Sequence, residues 1–275
     1  MPELPEVETM VRDLASRVTG STISSVEADF PGIVVWPDFD QFVQRVEGQM
    51  VSGVERRGKF AIFPLASGDA LIVHRGMTGS LLLRSPEAPL EPHVRLMFVL
   101  DDGRELRFND QRKFGKIYLM HPSGSERALP WSRMGPEPLN GDFTLRSFQQ
   151  SLRGRTALIK PLLLSQGLVA GLGNIYVDEA LHLACVHPQR RADTLKPAEL
   201  RRLHQAIREV LEAAIEGRGT TFSNYTDIEG RAGRYQDRLR VYGKTGTECL
   251  RCGFPIVKMV VGGRGTHVCP HCQKV

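Results

Sequence analysis

Pro2, Glu3 and Glu6, in the opening run Met1-Pro2-Glu3-Leu4-Pro5-Glu6-Val7-Glu8, put a potential secondary amine beside two carboxylates. Removal of Met1 would make Pro2 a free terminal amine. Such an amine has a pKa near ~8, against ~10.4 for lysine, so far more of it is neutral at working pH. A neutral amine can attack an electrophilic carbon, and attack on a sugar or carbonyl carbon gives a Schiff base. Met-Pro starts and Pro-Glu helix entries are also common, so the run by itself fits an ordinary helix start better than a catalytic one.

Cys249-x2-Cys252 and Cys269-x2-Cys272, sixteen residues apart, carry a second kind of chemistry. Each pair places two thiolates on one tight knuckle, and a β-hairpin spacer brings the knuckles together. Four sulfurs then fill a tetrahedron around one structural zinc ion, leaving no open position for catalysis. His267 and His271 lie nearby but are surplus to a complete thiolate set, and Cys185 is expected to be simply buried. Between the pairs, Gly262-Gly263-Arg264-Gly265-Thr266 is a thin turn. Its Arg264 guanidinium could fork onto phosphate oxygens or be an exposed hairpin residue.

Other loops offer weaker signals. His74-Arg75-Gly76-Met77-Thr78-Gly79 and Asp110-Gln111-Arg112-Lys113-Phe114-Gly115 each follow a strand and carry an apolar side chain, Met77 or Phe114. Arg112 adds a cation. Such residues can fill the hole left when a base is flipped from a duplex, or can be turn and core. Arg56-Arg57-Gly58-Lys59 suits a phosphate contact or a solvated charge cluster. Gly167 to Ile175 could grip phosphate through amides and Asn174 at a helix N-terminus, or could be a tight interhelical turn.

These residues must be positioned by two kinds of element. Val7, Met10, Val11, Leu14 and Val18 recur at helical spacing, predicting a helix over 5–18. Short apolar or alternating runs then fill 22–120, namely 23–26, 51–55, 60–65, 70–74, 81–84, 94–100, 106–109 and 116–120, separated by Gly, Pro and Asp-Gly. That pattern predicts a β-sandwich or barrel. Pro- and Gly-rich residues 130–141 read as a linker, after which the period becomes helical: 145–152, 157–165, 175–184 and 197–216. The polar stretch 220–238 is expected to be mobile. The resulting division is 1–131 as an N-terminal β domain, 132–141 as linker, 142–238 as a helical domain and 239–275 as a zinc ribbon.

With 275 residues and 41% hydrophobic content the chain can bury a substantial core. No apolar run approaches the ~20 residues of a membrane span, and no basic-then-apolar signal opens the chain, so a cytoplasmic protein is expected. The net charge of +5 is uneven. Residues 1–141 carry 16 basic and 19 acidic side chains, and residues 142–275 carry 20 and 12. A basic C-terminal half fits a polyanionic partner, as well as a generic solvated surface.

Taken in order along the chain, the motifs resemble the formamidopyrimidine-DNA glycosylase family, the helix–two-turn–helix glycosylases. The matching residues are Pro2 to Thr9, Lys59, His74 to Gly79, His93, Asp110 to Gly115, Gly171 to Ala180, and the cysteine ribbon with Arg264. The resemblance implies an α+β fold: an N-terminal β-sandwich with a leading α-helix, then a helical helix–two-turn–helix domain ending in a β-hairpin zinc ribbon. It implies a monomer acting on double-stranded DNA that contains an oxidised base, located in the cytoplasm and on the nucleoid. The implied reaction is excision of oxidised purines such as 8-oxoguanine and formamidopyrimidines, followed by cleavage of the abasic site.

In that resemblance Pro2 attacks C1′, Glu3 protonates the opening sugar ring and Glu6 is a supporting carboxylate. Lys59 acts in β-elimination and phosphate contact, and Arg264 in δ-elimination and phosphate contact. His93, Arg112 and Arg155 are DNA contacts, and Lys160 and Asn174 form the helix–two-turn–helix phosphate grip. Met77, Arg112 and Phe114 fill the vacated stack, with Arg112 facing the orphaned cytosine. Arg75 departs from the family pattern, which has an apolar residue there, and is expected to touch the DNA backbone. Ser223 and Asn224 replace a more charged pair in the loop expected over the everted base. Leu4 and the complete Met77/Arg112/Phe114 trio favour the purine branch over an endonuclease VIII-like enzyme for oxidised pyrimidines. A non-enzymatic zinc-ribbon DNA-binding protein is the remaining alternative.

Overall fold

The computed structural model describes residues 2–121, 129–222 and 225–275, which form two compact units. Residues 1–132 and 218–234 form the first, and 133–217 and 235–275 the second. In the first, helix α1 (Leu4–Val18) buries the predicted stripe, with Val7, Met10, Val11, Leu14 and Val18 at most 6% exposed. Its N-cap is Glu3, not one of the small polar residues that usually cap helices. The cap works because Glu3 accepts from the backbone of Glu6 while Glu6 accepts from the backbone of Glu3.

Two sheets make the expected sandwich. The first has the order β1 (Ile23–Glu27), β7 (Val94–Leu100), β8 (Glu105–Asn109), β6 (Ser80–Arg84). The second has the order β2 (Val34–Trp36), β9 (Lys116–Met120), β5 (Ala70–His74), β4 (Phe60–Pro64), β3 (Glu55–Arg57). All pairings are antiparallel except β2 with β9. One apolar core gathers α1 and both sheets, with Phe63, Phe98 and Phe108 among its buried side chains. The run at 51–55 is not a strand. Val51 makes an isolated bridge to Leu65, and pairing resumes at Glu55.

An element the alternation pattern hid is helix α2 (Phe39–Val46). Asp38 caps it by accepting from the Gln41 amide at 3.0 Å, and Phe42 and Val46 are buried. Eight residues hold only two turns, too short a periodic signal to stand out among strands.

The second unit contains α3 (Leu145–Leu152), α4 (Ile159–Leu164), α5 (Asn174–Leu183) and α6 (Pro197–Glu216), then the hairpin β10 (Val257–Val261) and β11 (Arg264–Val268). The α6 stripe Leu200, Leu203, Ile207, Val210, Leu211 and Ala214 is buried as expected. The turn before α5 is organised by Gln166. Its side-chain amide donates to the Leu164 and Leu172 carbonyls, and its Oε1 accepts from the Gly171 amide at 2.9 Å.

Two boundaries differ from the linear reading. Residues 133–141 are part of the second unit, where Gly135 donates to the Gln166 carbonyl and Ala170 to that of Pro136. Residues 218–234, assigned by sequence to the helical domain, belong to the first unit instead. Leu83 donates to the Ile228 carbonyl at 3.1 Å, Arg218 pairs with Asp13, and Arg17 pairs with Glu229. Within the described part of the segment expected to be mobile, Asp227 holds residues 229 and 231 to Arg218. Its carboxylate accepts from the Glu229 and Arg231 amides and from the Arg218 and Arg231 guanidinium groups. Such long-range returns leave no periodic trace.

Candidate active site and metal centre

The start of α1 holds Pro2, Glu3 and Glu6, all buried, while Met1 lies outside the described residues. Glu6 Oε2 accepts from the Glu3 amide and Oε1 from the Thr220 amide, both at 2.8 Å. One carboxylate thus orders the chain end and fastens residues 218–234 to it. Gly219 makes this possible: it lies at φ +80°, and a Cβ there would sit 2.9 Å from Glu6 Oε1.

Strand register places Lys59 and His74. Phe60 pairs with His74 across β4–β5, and His74 pairs with Lys116 across β5–β9. Burial, then the Lys59 and Lys116 charges, push the imidazole down to about 4. His74 is therefore neutral at working pH, and its Nδ1 accepts from the Gly76 amide at 3.2 Å. The preceding basic turn is not a bare charge cluster, because Arg56 Nε donates to Glu8 Oε2 at 2.7 Å. Burial works to raise the Glu8 pKa, but Arg56 and Arg12 outweigh it and hold the carboxyl below its usual range.

Sheet topology also explains how the two loop motifs meet. The loop 75–79 leaves β5 and enters β6; the loop 110–115 leaves β8 and enters β9. Ser80 pairs with Asn109 and His74 with Lys116, so both loops cross between the sheets side by side. Arg112 lies 4.6 Å from the Phe114 ring centre and 3.6 Å from Met77 Sδ. Met77 and Phe114, on either side of Arg112, are 43% and 49% exposed, an uncommon setting for large apolar side chains. Asp110, fully buried, joins the loops: its carboxylate accepts from Thr78 Oγ1 at 2.6 Å and from the Arg112 and Gly115 amides. Gly76 has φ +63°, and a Cβ there would lie 2.6 Å from the Phe114 carbonyl carbon. His93 is half-buried near the same loop; its carbonyl accepts from the Asp110 amide and its Nδ1 lies 3.3 Å from Arg95 Nη2.

Two residues expected on DNA are placed elsewhere. Arg75 is 2% exposed, its guanidinium 5.2 Å from the Tyr225 ring centre and its Nε donating to the Gly79 carbonyl at 2.8 Å. A side chain so enclosed has no route to a DNA backbone outside. Lys160 is fully buried, with Nζ 2.6 Å from Asp178 Oδ1, 2.8 Å from Thr266 Oγ1 and 3.1 Å from the Gly265 carbonyl. It braces the start of β11. Asn174 Nδ2 donates to the same Gly265 carbonyl at 2.9 Å. Arg155 is exposed, its Nε donating to the Ser151 carbonyl at 2.7 Å. Ser223 and Asn224 lie outside the described residues.

Arg264 is exposed at the tip of the β10–β11 hairpin. Val261 pairs with Arg264, leaving a two-residue turn of Gly262 and Gly263, both at positive φ. Below it, the sulfurs of Cys249, Cys252, Cys269 and Cys272 all lie within 4.8 Å of one another. Sulfurs bound to zinc at ~2.3 Å stand ~3.8 Å apart in a tetrahedron, and here Cys252–Cys269 and Cys249–Cys272 are 3.5 and 3.9 Å apart. The four side chains fit one zinc ion. His271 stacks on Phe254 and His267 lies edge-on to Tyr242, so neither joins the sulfur cluster.

Sequence reasoning singled out Asn174 but missed the rest of its face on α5. Asn174, Asp178 and His182, at i, i+4 and i+8, all turn to the ribbon. Asp178 Oδ2 accepts from the His267 amide at 2.8 Å, and His182 Nε2 lies 3.4 Å from Cys249 Sγ. Burial, then the Arg251 and Arg240 charges, push His182 down to about 4. The neighbouring Glu179 accepts from the amides of 240, 241 and 242, each at 2.9 Å. A four-residue polar spacing on an otherwise apolar helix was the available signal.

The first unit presents Pro2, Glu3 and Glu6 at the start of α1 and an apolar–cationic trio; the second carries a helix-borne cysteine ribbon that fits zinc. Sequence comparison makes this combination specific. Residues 1–117 match the formamidopyrimidine-DNA glycosylase N-terminal domain, 134–225 its H2TH domain, and 246–275 a zinc finger found in FPG and IleRS. The formamidopyrimidine-DNA glycosylase of Symbiobacterium thermophilum is 49% identical over this whole chain and 90% of its own length. That of Enterococcus faecalis is 47% identical, covering 100% of this chain and 98% of the relative. A mutant of the Lactococcus lactis enzyme bound to Fapy-dG-containing DNA superposes with a TM-score of 0.93 at 42% identity, with both chains fully covered. The same enzyme bound to DNA with an abasic site gives 0.92 at 42% identity, covering 99% and 100% of the two chains. The chain belongs to the formamidopyrimidine-DNA glycosylase family.

Proposed function

We propose that the chain is a bifunctional DNA glycosylase and abasic-site lyase that excises oxidised purines, among them 8-oxoguanine and formamidopyrimidines, from duplex DNA. The observation that carries the reading is the capped start of α1, where Pro2 is buried beside the reciprocal Glu3–Glu6 box. Relatives named for this activity, and a related enzyme seen on Fapy-dG and abasic DNA, support it.

In the reaction the neutral Pro2 amine adds to C1′ of a flipped nucleotide, and the C1′–N bond breaks with its electron pair leaving on the base. Glu3 protonates the ring oxygen as the sugar opens to the iminium. The iminium acidifies the C2′ proton; its loss expels the 3′ phosphate, and a second elimination expels the 5′ phosphate. Lys59 acts in the first elimination and Arg264 in the second. Glu6, with both oxygens engaged by amides, orients the amine end rather than carrying protons. Met77, Arg112 and Phe114 fill the vacated stack, and His93, Arg112, Arg155 and Asn174 contact DNA. Lys160 acts indirectly, by bracing the strand that begins with Arg264. Zinc, held by Cys249, Cys252, Cys269 and Cys272, supplies the ribbon's fold and no step of the reaction. No helix among the described residues is long and apolar enough to cross a membrane; the proposal places a monomer acting on DNA in the cytoplasm and nucleoid.

A second reading extends the substrates to oxidised pyrimidines, because the Lactococcus lactis enzyme has been captured on DNA containing one. Borohydride trapping on an 8-oxoguanine:cytosine duplex tests both readings. A covalent adduct at residue 2, absent in Pro2→Gly and reduced in Glu3→Gln, is expected. An adduct only on thymine glycol would shift the protein to pyrimidines, and none on any lesion or abasic site, with Met1 gone, would overturn the catalytic reading.

A further inference from the structure

From α5, His182 reaches a ribbon sulfur. It is 1% exposed, its Nε2 lies 3.4 Å from Cys249 Sγ, and its Nδ1 is buried with no hydrogen-bond partner. A neutral imidazole carries a single N–H. A metal-binding thiolate can only accept, so the proton sits on Nε2 and points at the sulfur, leaving Nδ1 as an unshared acceptor. A side chain present only to fill the space between helix and ribbon would be apolar and would leave nothing unpaired. The other two residues of this face, Asn174 and Asp178, bind backbone groups of β11; His182 alone binds a ligand atom.

We propose that His182 is a positioning residue for the metal centre, whose Nε2–H donates to the Cys249 thiolate, holds it on the metal and lowers its reactivity toward peroxide. The hydrogen bond draws charge from the sulfur lone pairs, as partners beyond the ligand shell do for metal sites generally. The reaction it slows is a two-electron oxidation. The thiolate sulfur attacks one peroxide oxygen, the O–O bond breaks, hydroxide leaves, and the cysteine becomes a sulfenic acid that no longer binds zinc. An enzyme proposed to act on oxidised DNA works where such oxidants arise. This inference rests on the four-thiolate zinc site of the reading above.

The test compares wild type with His182→Phe, which keeps the packing and removes the donor, and with His182→Gln, which keeps a donor. Zinc content is measured first. Zinc release is then followed with a chromogenic chelator, alone and with hydrogen peroxide, while far-UV circular dichroism in excess zinc checks folding. The Phe variant is expected to bind zinc about 10–100-fold more weakly and to release it faster in peroxide, with Gln intermediate. Asn174→Ala loosens the same docking face without touching sulfur and is expected to leave the peroxide rate unchanged. Equal release from wild type and Phe, or equal acceleration by Phe and Asn174→Ala, would overturn the inference. Wild-type protein without stoichiometric zinc would instead overturn the metal reading itself. If Phe fails to fold even in excess zinc, the Gln variant decides alone: release in peroxide modestly faster than from both wild type and Asn174→Ala is expected, and release no faster than from Asn174→Ala contradicts the donor role.

Discussion

The chain start and the ribbon are both small constellations of reactive side chains, but they are held in opposite ways. Glu3, Glu6 and Lys59 rest on a sandwich with a continuous apolar core, and their placement follows from helix capping and strand register. The buried cluster of the ribbon comprises Val241, Cys249, Ile256 and Cys269, with Cys252 and Cys272 packed on it, so that most of it is made of the metal-binding side chains themselves. One region brings its chemistry to a finished scaffold; the other is a scaffold only once its chemistry is satisfied. Buried charge differs in the same way. Arg75 faces an aromatic ring and a carbonyl, whereas Lys160 and Asp178 form a closed pair that ties α4 and α5 to β11.

The largest expected effect breaks the comparison if it fails. Chelation, or Cys249→Ser with Cys252→Ser, should unfold the ribbon, since a structural zinc contributes on the order of 10–16 kcal/mol of folding free energy. The sandwich should keep its own cooperative melt while DNA binding is lost. Undiminished binding by the double variant would show that the ribbon stands without metal.

Next comes Lys160→Met, which leaves Asp178 buried without its cation and should cost about 3–5 kcal/mol in urea unfolding. Adding Asp178→Leu should cost far less than the sum of the two single changes. Strict additivity would show that the two side chains do not act as a pair.

His74 gives a pH effect in the sandwich. Its folded-state pKa is about 4, against 6.5 for the unreacted imidazole of an unfolded chain. Between those values the unfolded chain holds the extra proton, so stability rises with pH across that window and is flat above it, by about 3 kcal/mol at most. Wild type and His74→Gln melted from pH 4 to 7 should differ in slope only there; parallel curves would refute the assignment.

The smallest effect concerns Arg75. Because it is enclosed, Arg75→Leu should leave the salt dependence of DNA binding unchanged and alter stability little, as apolar replacement of a buried cation often does. Arg155→Ala should make that dependence shallower by about one ion. A shallower slope for Arg75→Leu would restore the backbone contact expected from the sequence.

Local signals carried most of the elements. The α1 and α6 stripes, the strands at 70–74, 94–100 and 116–120 and the cysteine spacing all repeat at short intervals, and the structure has them at or within a residue of the expected bounds. Helix α2 and the shift from 51–55 to β3 escaped because each is only a few residues of ambiguous pattern. The trio Met77, Arg112 and Phe114 was legible as two loops, but not the reason they touch.

The amino-acid sequence by itself determined which residues could react and which elements would form, because amine, carboxylate and thiolate chemistry and hydrophobic period are properties of a residue and its near neighbours. Only the tertiary structure decided how charged side chains are used. It buried Lys160 against Asp178 and Arg75 against Tyr225, joined the two crossing loops through Asp110, and brought Thr220 back to Glu6 across 214 positions of chain. Desolvation and hydrogen bonding of a charge depend on what packs around it from distant segments, and no local pattern encodes that.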